Sequence, residues 1–373
     1  MTTFLLERED FPALLKTLTD AGYQVIAPTV REGAIVYDEI ESIAELPIGY
    51  HDEQEAAFYR LHPTKDKALF SYVVGPQSWK RFLHPPEVRL WQAKRVEGGM
   101  EIVPNTQAVP RYAFVGVRAC ELHAIAIQDK IFMQGEFVDP IYQARREAAL
   151  IVAVNCGVAG GTCFCASMHT GPQVTSGFDL ALTEVLEDGR HYFVVEVGSD
   201  TGKELWKDVP HRKAKPEEAA AAQHIIEHTA AHMGRELDID GLPEIITRKI
   251  ESPRWETIAQ TCLACANCTM VCPTCFCNTI EDVTDLTGGS AERIRKWDSC
   301  FTMDFSYIHG GSVRYSTKAR YRQWLTHKLA TWVEQFGTLG CVGCGRCITW
   351  CPVAIDITAE AAAIRQSDDG KGK

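Results

Sequence analysis

The sequence predicts an α/β (mixed-sheet) N-terminal lobe followed by a mostly α-helical domain built around cysteine-rich loops. Three features predict it. Up to about residue 200, short apolar runs alternate with helical patterns. From Pro216 the chain turns alanine-rich and helical. Within that second part stand two cysteine runs, Cys262-Leu-Ala-Cys265-Ala-Asn-Cys268-Thr-Met-Val-Cys272-Pro273 and Cys341-Val-Gly-Cys344-Gly-Arg-Cys347-Ile-Thr-Trp-Cys351-Pro352. At 373 residues the chain exceeds one typical domain. The expected division is 1–110 as an α/β structural lobe, 111–215 as an α/β region with a further metal site, and 216–373 as the helical domain.

In chain order, Asp10 can cap a helix carrying Phe11, Leu14, Leu15 and Leu18, which Gly22 would stop. Tyr23–Ala27, Ala34–Tyr37 and Phe70–Val74 are short apolar runs flanked by Gly or Pro and read as strands. No chemistry is evident in residues 1–110. Ala113–Val117 reads as a strand, Leu122–Phe132 as a helix and Leu150–Val154 as a second strand. The strands deliver Cys120 and Cys156 near their C-terminal ends, where open α/β sheets tend to build ligand sites. Phe178–Val185 and His191–Val197 suggest a hairpin turning through Glu187-Asp-Gly-Arg190. The helix from Pro216 carries His224, His228 and His232 on one face. Without a carboxylate pattern to orient the rings, that face reads as solvated rather than metal-binding. Tyr321–Phe336 has helical spacing and leads into the second cysteine run.

Each cysteine run has the spacing C-x2-C-x2-C-x3-C-P, by which bacterial ferredoxins hold iron–sulfur clusters, the fourth cysteine of each run crossing to the other cluster. The second part is therefore expected to be a two-cluster ferredoxin domain with two [4Fe–4S] clusters on Cys262, Cys265, Cys268, Cys272, Cys341, Cys344, Cys347 and Cys351. Structural zinc sites are usually built from separated Cys-x2-Cys pairs, which these runs are not. Between 157 and 165 a glycine-rich loop carries Cys163-Phe-Cys165. With Cys120 and Cys156 these make four thiols, the number a third [4Fe–4S] cluster requires. The competing reading, that Cys120 and Cys156 are small core residues, leaves the Cys-x-Cys in a glycine loop unaccounted for. Cys275, Cys277 and Cys300 remain. Thr274-Cys-Phe-Cys277 repeats Thr162-Cys-Phe-Cys165 letter for letter. Three thiols are one short of a four-cysteine site; a non-cysteine ligand or a structural role are both open.

The net charge of −11, with no basic patch, argues against nucleic acid as a partner. No apolar run reaches the 18 or so residues of a membrane helix, and the opening residues lack the basic start and apolar core of a signal peptide. A cytoplasmic protein is expected, and fifteen cysteines in a reducing compartment point to metal ligands rather than disulfides. Neither G-x-G-x-x-G after a strand nor G-x-x-x-x-G-K-[ST] occurs, so no flavin or nucleotide is expected on this chain. Nor is there a separate thiolate set for a nickel–iron centre or a sirohaem. The chain reads as a non-catalytic carrier of electrons, and a redox-sensing iron–sulfur protein is the alternative of another class.

The order Val115-Gly-Val-Arg-Ala-Cys120-Glu, Asn155-Cys156, Thr162-Cys-Phe-Cys165, Val271-Cys-Pro-Thr-Cys-Phe-Cys277, Trp297-Asp-Ser-Cys300 and Cys341-Val-Gly-Cys-Gly-Arg-Cys347 resembles the beta subunits of cytoplasmic nickel–iron sulfhydrogenases. It also resembles their relative, the electron-transfer component of anaerobic NADH-dependent sulfite reductase. The likeness runs from about 110 to 355. It implies electron transfer that links the hydrogenase small and large subunits to a flavin-bearing, NAD(P)-binding gamma-type subunit. In the other branch a sulfite reductase catalytic subunit takes the place of the hydrogenase pair. The resemblance also implies Cys262, Cys265, Cys268 and Cys351 on one cluster, with Cys341, Cys344, Cys347 and Cys272 on the other. The long N-terminal lobe and Trp-Asp-Ser-Cys lean toward the hydrogenase branch.

Overall fold

The computed structural model describes residues 3–105, 108–187 and 189–367. Residues 1–2 of the opening segment and Asp188 of the expected hairpin turn lie outside them. The strands are β1 (Thr3–Glu7), β2 (Gln24–Arg31), β3 (Ala34–Glu39), β4 (Tyr50–Glu55), β5 (Phe58–Pro63), β6 (Glu87–Val96), β7 (Gly99–Pro104), β8 (Tyr112–Val117), β9 (Leu150–Val154), β10 (Leu180–Glu187), β11 (Arg190–Val197), β12 (Arg212–Lys213), β13 (Asn278–Thr284), β14 (Ser290–Trp297), β15 (Tyr307–Ile308) and β16 (Gly311–Ser312). Eight of them form one sheet in the order β12-β1-β11-β10-β9-β8-β2-β3. Its centre, β10-β9-β8-β2, is parallel, and its flanks are antiparallel. The sheet is mixed, as expected.

Composition explains the arrangement. β9 is Leu-Ile-Val-Ala-Val, buried at every position, the pattern of a strand covered on both faces at the centre of a parallel sheet. The helix Phe11–Asp20 buries Phe11, Leu14, Leu15 and Leu18 on that sheet, and Gly22 follows with φ +81°. The helix Ala119–Met133 makes the crossover from β8 toward β9, preceding the helix Pro140–Ala148. Strands from 1–110 and from 111–215 thus share one sheet and one apolar core.

Phe70–Val74 is not a strand. Its backbone is satisfied by side chains instead: Glu184 accepts from the Leu69 and Phe70 amides, Asp52 from the Val73 amide, and Arg118 donates to the Phe70 and Tyr72 carbonyls at 2.8 and 3.0 Å. An apolar run held this way needs no ladder partner.

The second half contains the expected helices, among them Pro216–Ala231, Arg254–Thr261, Thr317–Thr326 and Ile357–Gln366, but it is not helical throughout. β13 and β14 pair with each other and with β6 and β7 of the N-terminal half in a four-stranded antiparallel sheet, β13-β14-β6-β7. Their sequences hide this because charged residues lie on both faces and pair across the strands, as in Arg293–Asp282 at 2.6 Å and Lys296–Glu281 at 2.7 Å. The expected helix Tyr321–Phe336 is interrupted at His327–Thr331 by a π-helical turn, which brings Lys328 inward.

A buried polar knot ties the halves together. The Glu121 carboxylate accepts from Arg346 Nη2 at 2.6 Å, from Trp79 Nε1 at 3.0 Å and from the Tyr37 hydroxyl. Arg346 Nε also donates to the Gly75 carbonyl.

Candidate metal centres

The first cysteine run leaves the end of the helix Arg254–Thr261. Ala264 and Ala266 adopt φ +51° and +67°, a left-handed conformation that costs non-glycine residues of order 1–3 kcal/mol each. The bend turns the Ala264 amide onto Cys262 Sγ at 3.4 Å. The second run bends at the same two positions, where Gly343 (φ +64°) and Gly345 (φ +72°) take the conformation without that cost, and the Gly343 amide meets Cys341 Sγ at 3.5 Å. Glycine is needed there for a second reason. A Cβ on Gly343 would stand 2.6 Å from the Cys165 amide nitrogen, and one on Gly345 2.3 Å from the Thr162 carbonyl oxygen. The glycine loop at 157–165 is therefore packed directly onto the second run.

Cys262, Cys265, Cys268 and Cys351 surround a hollow open to solvent on one side, walled by Phe301, Tyr321 and Trp324, with Cys347 at its margin. The aromatics exclude water from it; they do not form a separate site. Cys265 is the exposed thiol of the set. Cys272, Cys341, Cys344 and Cys347 also gather: burial, then the neighbouring Cys341, Cys344 and Cys272, pushes the Cys347 thiol well up. Burial likewise raises Cys341 to about 12. Neither run works alone, because Cys351 turns back to the first set and Cys272 reaches the second.

Cys120, Cys156, Cys163 and Cys165 come together around another hollow. β8 and β9 are adjacent parallel strands, so their C-terminal ends bring Cys120 and Cys156 side by side. The Thr162 hydroxyl, fully buried, meets Thr349 Oγ1 at 2.8 Å, and the Phe164 amide donates to the Gly343 carbonyl at 2.8 Å. These contacts fix Cys163 and Cys165 against the second run. Burial raises Cys163 to about 12. Cys344, Arg118 and Arg346 line the same hollow.

Thiolates so deeply buried are costly unless cations neutralise them, which iron supplies. Among the described residues no three His, Cys, Asp or Glu side chains could hold a single metal ion. Ligands of one zinc would need sulfurs about 2.3 Å from a common centre; these thiols instead ring spaces wide enough for a polynuclear group. The donor set, all cysteine and four per hollow, fits [4Fe–4S] clusters.

Sequence reasoning missed the cations. Arg118 and Arg346 stand at the Cys120–Cys165 set, and two buried lysines, Lys80 and Lys328, stand at the other side of the second run. Nothing in the sequence marks a lysine as buried. The His224, His228 and His232 face is exposed, with the last two rings stacked at 4.1 Å. Cys275, Cys277 and Cys300 lie beside Cys272, outside both hollows.

Residues 261–355 match the family described as 4Fe-4S dicluster domain, so the eight-cysteine region belongs to an iron–sulfur protein. The chain is also similar to Sulfhydrogenase 2 subunit beta of Pyrococcus furiosus, 29% identical over 354 residues that cover 94% of this chain and 95% of that protein. The likeness therefore includes the sheet-bearing half. No solved structure matches the chain. Among the described residues no helix is long and apolar enough to cross a membrane.

Proposed function

We propose that this chain, with its 4Fe-4S dicluster domain and its end-to-end similarity to a sulfhydrogenase beta subunit, is the iron–sulfur electron-transfer subunit of an NAD(P)-linked nickel–iron hydrogenase complex. It relays electrons between the small and large hydrogenase subunits and a partner that binds flavin and NAD(P). Cys262, Cys265, Cys268 and Cys351 hold one [4Fe–4S] cluster, Cys272, Cys341, Cys344 and Cys347 a second, and Cys120, Cys156, Cys163 and Cys165 a third. Such clusters exchange one electron each, at potentials set by nearby charge, hydrogen bonds to sulfur and burial.

The observation that carries this reading is that the three cysteine sets abut in series. Cys344 belongs to the second set and lines the third hollow; Cys347 belongs to the second set and borders the first. The chain's side chains prepare the path. Arg118 and Arg346 bring positive charge to one end, Lys328 to the middle, and Phe301, Tyr321 and Trp324 keep water from the other. Cys265 opens that end to the surface, where a partner can approach.

The test is purification of the native complex. Nickel in the complex, hydrogen-dependent NAD(P) reduction, and reduction of this chain by the flavin subunit within a turnover support the reading. A sirohaem partner with sulfite-dependent NADH oxidation would assign the chain to the sulfite reductase branch. Clusters left oxidised on the turnover timescale would make it a sensor.

A further inference from the structure

Building on the third-cluster reading above, we infer that Arg118 and Arg346 are hydrogen-bond donors to the cluster assigned to Cys120, Cys156, Cys163 and Cys165, and that they raise its potential. Each arginine is 4% exposed. A guanidinium carries five N–H donors and keeps its proton, so burial obliges those donors to find acceptors. Arg118 Nη2 donates to the Phe70 and Tyr72 carbonyls at 2.8 and 3.0 Å, and Nη1 to the Asn155 carbonyl at 3.5 Å. Its Nε has no partner among the described residues. Arg346 Nε donates to the Gly75 carbonyl at 3.1 Å and Nη2 to Glu121 Oε1 at 2.6 Å, while its Nη1 has no partner among them either.

Both orphaned donors belong to residues that line one hollow, together with the four cysteines, Cys344 and Glu121. The rest of its lining is Val73, Val74, Val158, Ala159, Pro172 and Met233, whose side chains offer no acceptor beyond a weak thioether. A buried water needs about two to four polar partners, and these walls supply few. A cluster on four thiolates brings anionic sulfur acceptors into that space, and bonds to charged acceptors are the strong ones. Each arginine also faces its own thiol: burial raises Cys156 and Cys344, and the largest opposing effect is Arg118 on the first and Arg346 on the second.

Charge points the same way. The side-chain hydrogen bonds of Arg118 go to carbonyls alone, which answer its donors but not its charge. Glu121 is the one carboxylate lining the hollow, and it is bonded to Arg346. Before the thiols are counted, two cations and one carboxylate leave a positive charge in excess, in an interior where uncompensated charge is costly. A reduced cluster carries one more negative charge than an oxidised one, so it gains more from that excess and from N–H donors to its sulfurs. The first hollow offers the contrast, since no charged side chain lines it. The planar fork of arginine suits this task, because it lets Arg346 hold Gly75 and Glu121 and still present a third nitrogen.

The test uses the full-length chain, made with arginine carrying nitrogen-15 only in its guanidino group and reconstituted anaerobically with iron and sulfide. The electron paramagnetic resonance signal lost in Cys163→Ser marks the third cluster, and the one altered in Cys265→Ser marks the first. Pulsed spectra of the reduced wild-type chain are expected to show guanidino nitrogen coupled to the third cluster and not to the first. In a redox titration, Arg118→Met is expected to lower the ratio of reduced to oxidised third cluster at a fixed potential about tenfold, equivalent to about 59 mV for one electron, and to leave the first cluster unchanged. Arg118→Lys, which keeps the charge, should show a smaller shift. No guanidino coupling on the wild-type third cluster overturns the inference whatever the variants do, as does an unshifted potential in Arg118→Met with wild-type iron content. If Cys163→Ser loses neither signal nor iron, the third-cluster assignment falls and this inference with it. A third cluster present without arginine coupling sinks this inference alone and leaves the relay reading standing.

Discussion

Lys328 Nζ stands 3.3 Å from Cys272 Sγ inside the protein, on a π-helical turn that interrupts an otherwise regular helix. A fixed buried cation beside a cluster ligand favours the reduced, more negative state. With Cys272, Cys341, Cys344 and Cys347 holding the proposed second cluster, Lys328→Met is expected to lower its midpoint potential by about 60 mV, the one-electron equivalent of roughly 1.4 kcal/mol. Redox titration followed by electron paramagnetic resonance checks it. An unchanged potential would mean that the charge is compensated elsewhere.

The pair Glu121–Arg346 bridges the two halves of the chain at 2.6 Å, with both side chains almost wholly buried. Removing one partner leaves an uncompensated charge in the interior. Glu121→Ala is expected to destabilise the cluster-loaded protein by about 3–5 kcal/mol, read by denaturant unfolding. A loss under about 1 kcal/mol would show that the knot does not hold the halves together.

The two cysteine runs bend alike but tolerate change differently. Gly345→Ala would drive a Cβ to 2.3 Å from the Thr162 carbonyl. It should reduce the iron bound by both the second set and the Cys120–Cys165 set. Ala266→Gly removes a left-handed alanine and should leave iron content unchanged. Parallel iron analysis separates the two, and equal losses would contradict the packing described.

His84 is fully buried against Phe132, with ring centroids 4.7 Å apart. Burial first, then Arg295 and Lys80, lowers its pKa to about 3. The unfolded chain takes up this proton near pH 6.5, and the folded one does not until near pH 3. Between those values the unfolded state binds more protons, so this contribution to stability is complete above about pH 6.5 and declines as pH falls, by up to about 1.4 kcal/mol per unit. His84→Phe is expected to flatten the fall in stability between about pH 4 and 6 relative to wild type. Identical slopes in unfolding curves would refute it.

Much of this was legible in the sequence wherever one residue type answers one local need. The ferredoxin spacing announced the eight thiols, and β8 and β9 showed through their unbroken apolar runs. Phe70–Val74 misled because a buried segment whose amides are taken by Glu184 and Asp52 has the composition of a strand without its ladder. β13 and β14 were hidden because cross-strand ion pairs rather than an apolar face hold them. Lys80, Arg118, Lys328 and Arg346 were invisible for a related reason. Their burial is decided by residues up to 271 positions away, as when Arg346 donates to the Gly75 carbonyl.

Fourteen of the fifteen cysteines are at least half sheltered, and Cys265 is exposed. Under the proposed relay function, the corner at which a partner protein would meet the chain is therefore also the corner that dioxygen reaches first. Corrosion would begin at the cluster behind Cys265 and spread inward through ligands shared between the two runs, because Cys351, once released, loosens the segment that also carries Cys347. A partner docked over Cys265 would act as a seal as well as an electrical contact, and the free chain should age in air faster than the assembled one.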